Sequence, residues 1–341
     1  MKKTDSIIAI LFALAVLGAY SIYKPFLLSM VVALLLTMAT ANMHKNISIR
    51  VHSEYVSALL LTLLLFIILF LPIIYIATIG VQYISAIDAQ TITNTTAKLT
   101  SLVNDVPYLS DWANENLNNE KILELIQTST ATLTKAGSQG FGFIKNVFFV
   151  IVFYYILNLY GERLFSLIRE LLPMRDEEGS KMVTEISSTM EIVFYSIIVT
   201  AIFEGMLFGI MISAFGFNGL LFGMIYGFAS LIPIIGGAVV WIPVSLFAWS
   251  VIHSNAAIFI ALYSIIIISI IADTFIKPMI IKYIKDDVLH SSVKINELLI
   301  FFSILAGMSS YGFWGMILGP AITSFLIAIS RIYIKLYGKE I

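Results

Sequence analysis

Long apolar runs separated by shorter polar segments dominate the chain, and their lengths carry most of the structural information. The apolar runs cover residues 7–23, 26–41, 56–79, 143–160, 192–214, 220–235, 238–252, 256–276, 298–309 and 316–333. A helix needs roughly 20 apolar residues to cross a bilayer, and shorter runs favour paired or re-entrant half-helices. The pattern predicts an all-α polytopic integral membrane protein, with about eight transmembrane helices and room for a re-entrant hairpin.

The first two apolar runs predict a helical hairpin that turns at Lys24 and Pro25. A cleaved signal peptide is the alternative for residues 7–23. It is disfavoured because no small-residue cleavage site follows and Pro25 leads directly into the second apolar run. The third run, residues 56–79, contains Pro72, where a kink is expected.

A polar segment between residues 80 and 140 interrupts the apolar pattern. It is rich in Thr, Asn, Ser and acidic residues, with amphipathic helical patterns but no catalytic constellation, so a packing role is favoured over chemistry. A lid, a docking surface or a scaffold is also compatible with it. The resulting division is 1–79 (N-terminal transmembrane helices), 80–141 (extracytoplasmic helical insertion), 142–191 (a transmembrane helix and a cytoplasmic amphipathic helix) and 192–341 (C-terminal transmembrane core).

The basic residues predict an orientation in the membrane. The chain has 20 lysines and arginines, and cytoplasmic loops of membrane proteins are enriched in both. All but five of them fall on one side if the N-terminus and the return loop of the first hairpin are cytoplasmic. The five on the other side are Lys24, Lys98, Lys121, Lys135 and Lys145. Both termini are then cytoplasmic, provided that the last two apolar runs form a pair turning at residues 312–315, which could be re-entrant.

Residues 231–243, LIPIIGGAVVWIP, break the apolar pattern most sharply. Pro233 and Pro243 bracket the pair Gly236 and Gly237, and a membrane helix must be interrupted here, which leaves backbone groups without helical partners. Such breaks are tolerated where they face protein or line a cavity, as at transporter sites. The charge count puts this break near the cytoplasmic side. A re-entrant tip acting as an inner gate and an ordinary tight turn both remain open.

Three ionisable side chains lie inside apolar runs: Glu204, Asp273 and Lys277. Burial of such groups in a membrane is costly, so each is a candidate functional residue. Asp273 and Lys277 are spaced to pair on one helix, and an interfacial salt bridge is an equally good interpretation. Glu204 has no basic neighbour in sequence. It is either a proton or cation site or the partner in a structural hydrogen bond.

Glycines recur at every fourth position on one helical face in two sets near Glu204, at residues 205 and 209 and then at 219, 223 and 227. Small residues at this spacing allow helices to approach closely in lipid, so packing is the favoured interpretation. They lie next to Glu204 and shortly before the interrupted stretch of residues 231–243.

Composition narrows the classes of function. The chain is 59% hydrophobic and 12% charged, with a mean hydropathy of +0.96 and a net charge of −1. The chain has no excess of basic residues, so the composition does not indicate a nucleic-acid partner. There is no cysteine, and the four histidines are too scattered to bind a metal. Phosphate-loop, metalloprotease and serine-nucleophile motifs are absent from the sequence. We therefore predict a protein that is not an enzyme and that has neither cofactor nor metal.

Three segments, LIPIIGGAVVWIP, ADTFIKPMII and LIFFSILAGMSSYGFWGMILGPAI, resemble the autoinducer-2 exporter family of bacterial membrane proteins, also called PerM-type permeases. The resemblance is specific in the C-terminal half and architectural before it. The family pattern falls on Pro233, Gly236, Gly237, Pro243, Asp273, Lys277, Pro278, Gly307, Gly312, Gly315, Gly319 and Pro320. Members often carry Leu-His-Pro where this chain has Leu289-His290-Ser291, so the local turn is expected to differ.

The resemblance implies a homo-oligomeric secondary transporter of the bacterial cytoplasmic (inner) membrane. Members are linked to export of the quorum signal autoinducer-2, a small polar compound, and others to sodium/proton antiport. Glu204 and Asp273 are the predicted proton or cation coupling residues, with Lys277 as partner. The alternatives are cation/proton antiport without an organic substrate, and a membrane scaffold or assembly factor that moves no solute.

Overall fold

The computed structural model describes residues 3–85, 93, 97, 145–164, 166, 176–232, 236–284, 286 and 297–337. Within those ranges the chain forms helices joined by short turns, with no β-strand. Most of the predicted insertion at 80–141 lies outside the described residues, as do Pro233 and the Leu289-His290-Ser291 triplet. The all-α prediction is confirmed.

The helices follow one another in this order. They are α1 (Lys3–Tyr23), α2 (Leu27–Ala39), α3 (Ala41–Val51), α4 (Glu54–Leu65), α5 (Leu71–Ser85), α6 (Lys145–Leu164), α7 (Asp176–Ser213), α8 (Gly219–Ala229), α9 (Gly236–Val251), α10 (Ser254–Tyr263), α11 (Lys277–Tyr283), α12 (Glu297–Tyr311) and α13 (Gly315–Tyr337). Two π-helical segments, Phe66–Phe70 and Ser264–Ile276, join α4 to α5 and α10 to α11.

Five helical stretches of the described chain are long and apolar enough to cross a membrane. They are Ile10–Ala39, Glu54–Gly80, Lys145–Leu164, Ile186–Ser213 and Ser254–Tyr283. Helices α8, α9, α12 and α13 are shorter apolar helices, as the run lengths predicted. Large apolar side chains such as Ile210 (75% exposed) cover the outside, as expected of a surface that contacts lipid.

The predicted hairpin at Lys24 and Pro25 is wrong. Ile10–Ala39 is one 30-residue helical stretch, with a 3₁₀ turn at Lys24–Phe26. Tyr23 and Phe26 keep right-handed helical dihedral angles, so the chain does not reverse. Proline is tolerated at the start of a helical segment because its missing N–H has no helical partner there. Pro25 therefore begins the second segment instead of reversing the chain.

Helix α7 is the centre of the fold and is longer than predicted. It runs without interruption for 38 residues from Asp176 to Ser213, through the predicted boundary between residues 191 and 192. Its N-terminal half packs against α2 and α13, and its C-terminal half packs against α8. Residues 176–191, which the sequence assigned to a cytoplasmic amphipathic helix, therefore belong to the same helix as the membrane span.

Two hydrophobic clusters lie along α7. The first surrounds Leu36, Tyr154 and Met190 and includes Trp314 and Leu318 of the α12–α13 pair. The second surrounds Phe208, Tyr226 and Ile268. Because one helix contributes to both clusters, it connects the two halves of the described structure.

Glycines bring the backbones of α7 and α8 together, as the four-residue spacing predicted. A Cβ added at Gly205 would lie 2.6 Å from the carbonyl oxygen of Gly223, and one at Gly227 would lie 2.6 Å from that of Ala201. Gly307 faces Gly315 and Gly319 in the same way between α12 and α13. These two helices form the predicted pair, turning through Gly312–Trp314, where Gly312 has φ +57°. A left-handed φ of this kind favours glycine.

The break in residues 231–243 is present, but it precedes the glycine pair. Helix α8 ends at Ala229, a turn follows, and α9 begins at Gly236. The Gly236 N–H donates to the carbonyl of Ile232 at 3.0 Å. Pro243 lies inside α9 and does not end it.

Candidate functional site

The three predicted ionisable residues meet at one place. The Lys277 ammonium lies 3.1 Å from Oδ1 of Asp273 and 3.4 Å from Oε1 of Glu204. The Glu204 side chain is 3% exposed, whereas that of Asp273 is 42% exposed and that of Lys277 35%. One cation is thus shared between a deeply buried carboxylate and an accessible one. We call these three residues the Lys277 cluster.

Helix geometry explains the pairing of Asp273 with Lys277. Asp273 lies near the end of the π-helical segment, and Lys277 begins α11. The Lys277 N–H donates to the carbonyl of Ala272, which is the spacing of a π-helix. Pro278 follows and has no N–H to continue the α-helical pattern. Short π-helical segments often occur at functional sites.

Tyr226 of α8 forms a wall of the site. Its side chain is 1% exposed and stacks on Phe208 with the ring centroids 4.5 Å apart. It is close enough to Glu204 and Asp273 to interact electrostatically with both. Ser230 follows the end of the same helix, and its hydroxyl donates to the carbonyl of Gly227 at 2.9 Å.

Tyr226 also connects the Lys277 cluster to the glycine pair. A Cβ at Gly237 would collide with the Tyr226 hydroxyl, and one at Gly236 would collide with the carbonyl of Ala229. The start of α9 therefore packs against the end of α8 only because both positions lack a side chain. Tyr226 of α8 thus lies directly against the start of α9.

The charges of the cluster do not balance. Two carboxylates and one ammonium leave one negative charge in excess when all three are ionised. Within an apolar surrounding such an excess is unfavourable. A proton or a monovalent cation can neutralise it. A multidentate metal site is not indicated, since the described residues contain no group of three or more potential metal ligands.

Other predicted site residues lie elsewhere. The α12–α13 pair contains Gly312, Gly315, Gly319 and Pro320. Its residues Trp314 and Leu318 belong to the hydrophobic cluster around Tyr154 and Met190. The structure does not join the three glycines or Pro320 to the Lys277 cluster. In this structure the glycines of that family motif serve the close packing of α12 against α13.

Three residues were missed from the sequence, two near the Lys277 cluster and one farther along α7. Tyr226 and Ser230 occur in a glycine-rich apolar run, where the only available signal was a polar atom in an otherwise apolar helix. Glu191 was placed in an external helix, yet it is 3% exposed. Its signal was the apolar sequence on both sides of it, Met190 and Ile192.

An all-helical multi-pass fold with a buried ion cluster beside a broken helix is the arrangement found in ion-coupled transporters. The sequence model of the protein family described as AI-2E family transporter matches residues 6–335 of this chain. The chain belongs to this family. A Helicobacter pylori protein described as a candidate transport protein is 33% identical over 328 residues, covering 95% of this chain and 94% of the relative. A protein from Aquifex aeolicus with the same description is 23% identical over 303 residues, covering 83% of each.

Family membership supports a role in membrane transport and agrees with the expectation that the chain is not an enzyme. The chain is a multi-pass membrane protein surrounded by a lipid bilayer.

Proposed function

We propose that the protein is a secondary-active exporter of a small polar solute such as autoinducer-2, coupled to an ion through the Lys277 cluster. The observation that carries the proposal is the position of the Lys277 ammonium between buried Glu204 and accessible Asp273. The printed descriptions of the relatives support transport and name no substrate.

The coupling step follows from the excess negative charge. When Glu204 takes up a proton, its attraction for Lys277 falls and the ammonium pairs with Asp273 alone. When the proton leaves, Lys277 is drawn back to the buried carboxylate. Each state has a different charge at the wall formed by Tyr226, so proton occupancy biases the packing of α8 and α9.

The glycine pair serves as the proposed gate. Gly236 and Gly237 hold the start of α9 against the end of α8 and against Tyr226. Because α8 ends at Ala229 and α9 begins at Gly236, α9 can tilt relative to α8 with little disturbance to the hydrogen bonds inside either helix. We place the gate at the cytoplasmic side, where the charge pattern puts the break.

Sodium/proton antiport is the second candidate function. The same excess negative charge accepts a monovalent cation, and Asp273 is accessible enough to exchange one. In this case protons and cations compete for the cluster and no organic solute is required.

Reconstituted proteoliposomes distinguish these functions. We expect an imposed proton gradient to drive labelled autoinducer-2, and Glu204→Gln to reduce this movement to the level of protein-free liposomes. Glu54→Gln, at an exposed position on α4, is the matched control. Sodium-dependent acidification without solute movement supports antiport.

Unchanged transport by a correctly assembled Glu204→Gln protein would remove Glu204 from the mechanism. A protein that moves neither but captures a partner through residues 80–141 would be a scaffold.

We further propose a homo-oligomer in the bacterial cytoplasmic membrane with the C-terminus and the segment after Ala39 in the cytoplasm. The lysines and arginines of the later loops support this orientation. Because residues 10–39 form one helical stretch that does not reverse, the N-terminus then lies on the opposite side, instead of beside the C-terminus as the sequence predicted. Because the chain lacks cysteine, single cysteines report the side directly. We expect Ser6→Cys and Ser48→Cys to react from opposite sides, since residues 10–39 cross the membrane once. Reaction from the same side would show that the chain bends back within the membrane and would contradict this orientation.

A further inference from the structure

A second buried carboxylate lies on α7, away from the Lys277 cluster. Glu191 is 3% exposed. Its Oε2 accepts a hydrogen bond from Nδ2 of Asn42 at 2.8 Å, and its Oε1 accepts one from the backbone N–H of Asn42 at 3.3 Å. The two residues are 149 positions apart in sequence. This contact joins α7 to the beginning of α3.

The N-terminus of α3 needs such a partner. The first N–H groups of any helix have no acceptor within the helix. Thr40 precedes α3 but does not cap it, because its hydroxyl is engaged with the carbonyl of Leu36 at 2.8 Å and with the hydroxyl of Tyr154 at 2.7 Å. The carboxylate of Glu191 takes the place of the missing cap. Negative charge at a helix N-terminus is favourable.

No cation neutralises Glu191 within the described chain, in contrast to Glu204. Its hydrogen bonds are with Asn42, whereas Glu204 faces the Lys277 ammonium at 3.4 Å. Its charge is stabilised by the two N–H donors of Asn42 and the start of α3, while burial opposes it. Among the titratable or charged groups on the elements packed around it, Tyr195 lies one turn further along α7, and the others include His44, Lys45 and Arg50 of α3, Tyr154 and Tyr155 of α6, and Arg331 and Tyr333 of α13.

We propose that Glu191 is a proton-binding site whose charged form fastens α3 to α7. Proton uptake removes the negative charge that the two N–H donors and the helix N-terminus favour. The contact with Asn42 then weakens, and the junction of α2 and α3 loosens from α7. The ligand is a single proton, and the site acts whether or not the Lys277 cluster couples transport to an ion.

Hydrogen exchange tests this at the amides of residues 42–44 in the full-length protein. After correction for the intrinsic pH dependence of exchange, we expect the protection in the wild type to fall by about tenfold as the pH is lowered, the range expected for loss of a helix cap. Glu191→Gln should show low protection at every pH. Glu54→Gln, on the neighbouring helix, should keep the wild-type profile.

Carbodiimide labelling gives an independent measurement on the unmodified protein, because the reagent adds to protonated carboxyl groups. We expect labelling of the peptide that contains Glu191 to rise as the pH falls. In Asn42→Ala it should rise at a higher pH, since a donor that favours the charged form is lost. Protection that is independent of pH, with no labelling at any pH, would overturn the proposal and leave Glu191 as a purely structural cap.

Discussion

The membrane-spanning part of α7 holds two carboxylates that are similarly buried but differently paired. Glu191 and Glu204 are 3% and 2% exposed, and lie roughly 20 Å apart along the helix. Glu204 is paired with an ammonium, whereas Glu191 is held by an amide and a backbone N–H. Burial therefore does not decide what such a residue does. At Glu204 a proton competes with the Lys277 ammonium for the carboxylate, whereas at Glu191 it competes with the N–H donors of Asn42 at the start of α3.

The surroundings differ in the same way. Near Glu204, α7 and α8 are in backbone contact through glycines, so small movements change the site directly. Near Glu191, α7 packs through side chains such as Met190 against α2 and α13. The first region is suited to a step in which charge and helix position change together, and the second to a joint that holds two elements.

We expect the largest loss of stability when the ammonium shared by the two carboxylates of the Lys277 cluster is removed. Lys277→Gln leaves Glu204 buried without its ammonium, and loss of one partner of a buried pair costs about 3–5 kcal/mol. We discount this toward the lower end because Lys277 is one-third exposed. Thermal unfolding in detergent should show a markedly lower midpoint. The double variant Glu204→Gln with Lys277→Gln should recover much of it, and failure to recover would mean that the pair itself is not the cause.

The backbone contact between α7 and α8 should give an intermediate effect. Gly205→Ala places a Cβ 2.6 Å from the carbonyl oxygen of Gly223, so the helices must separate at a cost of about 1–3 kcal/mol. Unfolding measured as above should report it. Gly18→Ala is the matched control, because nothing lies within 4 Å of its added Cβ. Equal stability of the two variants would contradict the close packing.

The smallest effect is expected beside Glu191. Tyr154→Phe removes the hydrogen bond to Thr40 but leaves the Thr40 hydroxyl bonded to the carbonyl of Leu36, so a loss of about 0.5–1.5 kcal/mol is expected. The half-buried neighbour supplies a control in Tyr155→Phe. If the two changes cost the same, the Thr40 to Tyr154 contact contributes nothing specific to the α2–α3 junction.

Much of the architecture could be predicted from local patterns. The run lengths identified long spans and short paired helices, glycine spacing indicated the contact between α7 and α8, and the Gly312 turn was found where the charge count required it. The errors have a common origin. Residues 10–39 and 176–213 each contain a local signal for a break, Pro25 in the first and a change from charged to apolar sequence in the second. Such signals permit an interruption without imposing one, because the helix also satisfies its backbone across them.

The sequence by itself determined that this chain spans a membrane, that Glu204, Asp273 and Lys277 lie within apolar runs, and to which family it belongs. These properties depend on apolar length, on the expense of burying charge and on motifs that are local in the chain. Only the tertiary structure decided which partners those charges have. Lys277 reaches Glu204 across 73 positions, and Asn42 reaches Glu191 across 149. Such pairings arise from the packing of whole helices, which no local pattern specifies.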